Sequence, residues 1–100
     1  MAIAVMGEFR LPPERLEEAR PLMVRLIEAT RAEEGCILYS FAEDLGDPGL
    51  IRVAEKWESR EHLARHFQTE HMASWARERE SFGVSGRQIA AYTIGDAEDI

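Results

Sequence analysis

The chain has no asparagine, one cysteine, and no stretch of basic residues. A single cysteine, Cys36, allows no intramolecular disulfide and suits a reducing, cytoplasmic setting. Cys36 opens a strand and reads as a small buried hydrophobe, since a reactive thiol needs a cationic neighbour or a helix N-terminus. The N-terminal MAIAVMGEFR has no basic region, and its apolar run is too short for a signal peptide. No apolar stretch approaches the ~20 residues that span a bilayer. The glycines never form G-x-G-x-x-G or G-x-x-x-x-G-K, so no nucleotide or flavin site is legible. There is no C-x-x-C, and no G-x-S-x-G nucleophile elbow. The formal net charge of −7 argues against nucleic acid, which needs Lys and Arg to displace counterions from phosphates. It also argues against an anionic membrane surface.

What remains is an ordinary globular composition in 100 residues, with 45% hydrophobic and 31% charged. That length makes one domain, placed at residues 1–95, with an acidic tail at 96–100. Ala2 to Arg10 alternates as a strand and ends at Leu11-Pro12-Pro13. Glu14 to Glu33 carries Leu16, Ala19, Met23, Leu26, Ile27 and Thr30 at helical spacing. Pro21 inside that stretch predicts a kink, or a short first helix followed by the main one. Gly35 supplies the stop. Cys36 to Glu43 and Leu50 to Glu58 read as two antiparallel strands around the turn Asp44–Gly49. Ser59 is a good N-cap for a short helix to about Gln68, and Thr69 for a second helix to about Glu80. Leu63, Phe67, Met72, Trp75 and Ala76 are its inward positions. Arg87 to Ile94 is the last strand. The order βαββαβ is the ferredoxin-like α+β arrangement with an antiparallel sheet. Both sheet faces carry apolar residues and the helices cover one, so a homodimer packed sheet to sheet is expected.

His66 and His71 are the first candidates for chemistry, as general base and hydrogen-bond donor beside an aromatic pocket. His71 falls in the first turn of its helix, where the dipole favours neutral imidazole. The plainer alternatives are a packing residue and a capping residue. His62 forms H-x-x-x-H with His66, which puts two rings on one helical face. Two ligands are not a metal site, no third is obvious, and a solvated histidine is the expectation for His62. Tyr39, Trp57, Phe67 and Trp75 offer area for a flat aromatic ligand, or simple core packing. Glu55 shares a face with Ile51, Val53 and Trp57, so it should be paired or functional. A structural ion pair is the expectation for Glu55 and for Arg52 on the opposite face.

The run from Glu34 to Met72 holds Glu34-Gly35-Cys36, Tyr39, Asp47-Pro48, Glu55-x-Trp57-x-Ser59-x-Glu61, Leu63, His66 and His71-Met72. In these elements the chain resembles the antibiotic biosynthesis monooxygenase family. The resemblance implies a dimeric α+β barrel and a cofactor-independent, quinol-monooxygenase-like activity on a phenol, hydroquinone or anthrone with dioxygen. It brings His66 and His71 onto positions where the family often carries histidine, and it implies no metal. Relatives of this fold that degrade haem use an asparagine on the first strand, absent here. Aligned on Trp57, their helical tryptophan and histidine fall at His66 and Ala76. An oxygen-independent isomerase or lyase, or a ligand-binding dimer without turnover, stays open.

Overall fold

The computed structural model describes all 100 residues. Four strands and three α-helices follow in the order β1 (Ile3–Arg10), α1 (Leu16–Arg31), β2 (Cys36–Glu43), β3 (Leu50–Trp57), α2 (Arg60–His66), α3 (Glu70–Ser81) and β4 (Ser85–Thr93). A 3-10 turn, Pro13–Arg15, leads into α1. The strands form one antiparallel sheet ordered β2-β3-β1-β4, the ferredoxin-like arrangement.

The expected division of the first helix at Pro21 is not found. α1 runs unbroken through Pro21, and the short separate turn lies earlier, at Pro13–Arg15. Pro21 is exposed, so its ring projects into solvent instead of displacing a packed neighbour. The inward stripe is as read: Ala19, Met23, Leu26 and Thr30 are buried against the sheet.

Alternation places Ile3, Val5 and Phe9 of β1 with Ile51, Val53, Glu55 and Trp57 of β3 on the face that the helices cover. On β2 the alternation slips. The pairing shifts register between Cys36 and Leu38, which takes Ile37 off that face and leaves it 51% exposed. Tyr39 and Phe41 keep their inward places. Ser59 and Thr69 cap α2 and α3 as their side chains suggest, accepting from the backbone N–H of His62 and Met72. The other face of the sheet is open. It presents Met6, Leu38 and Tyr92 to solvent, with Arg52 bridged to Glu8 and Asp44 at 2.7 and 3.2 Å.

Candidate functional site

The end of α1, the end of α2 and the start of α3 meet at one point. Glu33 lies in the turn after α1, which Gly35 closes with φ +85°. A side chain at Gly35 would also drive into the His62 ring, so this turn requires glycine on two counts. The turn aims Glu33 at both helical histidines. Its Oε2 lies 2.7 Å from His66 Nδ1 and 2.7 Å from His71 Nε2. A carboxylate only accepts, so both facing nitrogens carry the proton. That leaves His66 Nε2 as the ring nitrogen free to take another.

His66 is 1% exposed. Its ring packs on Trp57 with centroids 4.8 Å apart, and lies 5.4 Å from Tyr39 and 5.5 Å from Phe67. Burial among these rings lowers its proton affinity below the ordinary histidine range, and the Glu33 hydrogen bond works in the opposite direction. His71 is partly exposed and lines a separate surface groove with Arg25, Glu70 and Glu78.

Between the sheet and α2–α3 lies a cleft of about 440 Å³, within the size range of small-molecule sites. Its wall is mostly apolar, with Phe9, Tyr39, Phe41, Phe67 and Trp75 as the aromatic part and Glu55, Arg60 and Arg87 as the charged part. Three of the four predicted ligand aromatics, Tyr39, Phe67 and Trp75, therefore share one wall. Trp57 does not. It is fully buried behind it and donates its indole Nε1–H to Glu55 Oε1 at 2.9 Å. Phe67 is not the inward core residue expected, being 60% exposed. α2 ends at His66, and Phe67, as its C-cap, turns away from the packed stripe. His66 itself stands one side chain behind the wall, covered by Tyr39 and Phe67.

Two further expectations fail. Glu55 is buried but makes no ion pair; Arg52 finds its carboxylates on the open face instead. Burial raises the Glu55 pKa above the usual carboxylate range. Nor is His62 the solvated histidine expected, its side chain being 17% exposed. His62 turns to Ser59, 2.7 Å from its hydroxyl, while His66 turns to Glu33. The group whose donor atoms lie within 4.8 Å of one another is Glu33, His66 and His71. Two histidines and a carboxylate are a donor set that suits a divalent transition ion at bond lengths of about 2.0–2.2 Å. Here one carboxylate oxygen sits between the two rings at hydrogen-bond distance, the geometry of a doubly accepting carboxylate. Glu33 is the residue that sequence reasoning missed. The only signal for it was its place just before the Glu34-Gly35-Cys36 element. The Cys36 thiol is partly buried with its pKa raised by desolvation, as expected of an unreactive cysteine.

The sequence profile of the antibiotic biosynthesis monooxygenase domain matches residues 2–78. The chain belongs to the antibiotic biosynthesis monooxygenase family. It is 31% identical over 98 residues to the uncharacterised protein sll1783 of Synechocystis, covering 98% of this chain and 67% of that one. It is 29% identical over 69 residues to the provisionally named monooxygenase YcnE of Bacillus subtilis, covering 69% of this chain and 73% of that one. In structure it is similar to a provisionally assigned antibiotic biosynthesis monooxygenase from Deinococcus radiodurans. That match has TM-score 0.91 and 30% identity, and covers 100% of this chain and 98% of that one. No helix of this family member is long and apolar enough to cross a membrane.

Proposed function

We propose that this protein is a cofactor-independent monooxygenase that oxidises an electron-rich aromatic, a phenol, hydroquinone or anthrone, with dioxygen. The observation that carries the reading is the Glu33–His66 hydrogen bond of 2.7 Å directly behind an aromatic-walled cleft. The substrate ring lies between Tyr39, Phe67 and Trp75. Phe67, exposed at the edge of the wall, swings aside and uncovers His66. His66 Nε2 takes a proton from the substrate hydroxyl or activated C–H. Glu33 holds the tautomer that leaves Nε2 free and stabilises the imidazolium that forms. The aromatic anion gives one electron to dioxygen, and the substrate radical and superoxide combine to form a C–O bond. The resulting peroxide loses water to leave a carbonyl. For an anthrone the balance is one CH2 and one O2 to one C=O and one H2O.

His71 has a lesser role than the pairing of the two histidines suggested. It binds the same Glu33 oxygen from the far side and supports the carboxylate. The test is oxygen uptake with a panel of hydroquinones and anthrones, with autoxidation subtracted. Uptake that survives unchanged in a His66→Ala, His71→Ala double variant sinks the mechanism.

A cytoplasmic homodimer belongs to the same reading. The open face carries a band of Leu38, Ala54, Met6, Ala90 and Tyr92 across all four strands, which a second sheet would cover. Sedimentation should give twice the chain mass, and Met6→Lys should shift it toward the monomer.

A further inference from the structure

Glu55 stands at the middle of the sheet, directly opposite Val5 on one neighbouring strand and Tyr39 on the other. All three side chains belong to the wall of the cleft. Glu55 is 9% exposed, and its only side-chain partner in the protein is the Trp57 indole N–H on Oε1. No Arg, Lys or His lies within ion-pair distance of it. Its second oxygen accepts nothing. Next to it, Tyr39 is 2% exposed and its hydroxyl makes no hydrogen bond within the protein; Arg31 uses the Tyr39 backbone carbonyl instead.

A charged group in the centre of a sheet with one donor is costly, and an apolar residue would pack there without that cost. Glu33 is satisfied by two rings, and Asp44 and Glu8 by Arg52. Glu55 is the buried carboxylate with unused hydrogen-bonding capacity, and that capacity faces the wall of an aromatic cleft. The mechanism above makes no use of it.

We propose that Glu55 is the ligand-orienting acceptor of the cleft, so that the site selects aromatics bearing a hydroxyl or N–H donor over isosteres lacking one. This rests on the reading of the cleft as the ligand site, and it gives the substrate's hydroxyl or N–H donor a named acceptor and the ring a fixed orientation. Oε1 stays fixed by Trp57, which sets the plane of the carboxylate. Oε2 takes the ligand's donor and fixes one edge of the ring, leaving the opposite edge toward Phe67 and His66. A hydrogen bond to a charged acceptor supports a preference of about 10- to 100-fold.

The experiment is anaerobic calorimetric titration with 1-naphthol and 1-methoxynaphthalene, which share one ring system and differ in that a methyl group replaces the O–H donor's hydrogen. The wild type should bind the naphthol at least about tenfold tighter, even though the ether is the more apolar ligand. Glu55→Gln keeps the acceptor for Trp57 and the volume. It should cut the preference to within a few-fold, the naphthol losing affinity relative to the ether. Equal affinities in the wild type, or a preference that survives in Glu55→Gln, overturn the inference. Binding of neither ligand overturns it together with the cleft as an aromatic site. Because the titration needs no turnover, a preserved naphthol preference without oxygen uptake would overturn the oxygenase reading alone.

Discussion

Two carboxylates on the helix-covered side of the sheet, Glu33 bonded to His66 and Glu55 opposite Tyr39, are held in opposite ways. Glu33 comes from a turn between elements and accepts from two imidazoles that reach it from two different helices. Glu55 comes from the middle of a strand and accepts from one indole two residues along. The first is a closed set, in which carboxylate, tautomers and ring orientations fix one another. The second is an open set with an oxygen to spare. On the proposed reading they do different work: Glu33 prepares a base, and Glu55 meets a ligand.

The largest effect expected is at the ring that joins the two. His66→Ala removes the proposed base and empties a fully buried site against Trp57. Oxygen-uptake kinetics should show kcat reduced about 10²- to 10⁴-fold. His66→Gln, which fills most of the space, should lose as much activity with less loss of stability. If the glutamine variant turns over like the wild type, the Glu33 side of the comparison is only structural.

Glu33→Gln should reduce kcat by about 10- to 100-fold with KM little changed. The sign of its pH effect follows from the two opposed influences on His66. Burial lowers the proton affinity of His66, and Glu33 raises it. Removing the carboxylate lets burial act alone, so the acid limb of the kcat/KM profile should move to lower pH. A move to higher pH would mean that the group titrating in that limb is not His66.

Glu55→Gln should do the reverse for stability. Burial raises the Glu55 pKa in the folded state. The wild type therefore loses stability as pH rises from the ordinary carboxylate range through that raised value. The glutamine variant escapes this loss. Chemical denaturation should find it more stable by about 1–2 kcal/mol at neutral pH, with no advantage in acid. Equal stability across pH would mean that the carboxylate is already fully satisfied.

The smallest effect marks the other side of the sheet. Arg52→Ala removes ion pairs to Glu8 and Asp44 at a site where the arginine is about half exposed. Denaturation should register less than about 1 kcal/mol.

The fold was legible because its signals are local. Period-two alternation in β1 and β3, the caps Ser59 and Thr69 and the stripe along α1 each depend on residues a few positions apart. Where signals competed, the reading slipped. Pro21 looked like a break because a proline penalty says nothing of whether the ring faces solvent. Ile37 kept its alternation in the sequence but lost it to a register shift set by pairing with β3. The site was only half legible. His66 and His71 stood out as rare titratable residues at helix positions. Glu33 did not, being one of 19 acidic residues. Its role depends on three elements converging, a tertiary fact with no spacing of its own. The same holds for Glu55: its oddness was visible from the strand pattern, but its partner was not, since the ion pair expected there is replaced by the indole two residues on.

The most direct test of the account is oxygen uptake with hydroquinones and anthrones by the wild type and by His66→Gln, under chelation and with autoxidation subtracted. Uptake that depends on the protein, persists with chelator and falls at least about a hundredfold in His66→Gln is the predicted result. Uptake equal in the two proteins, or none with any substrate that the cleft demonstrably binds, would contradict the assignment of His66 as the base of a cofactor-independent oxygenase.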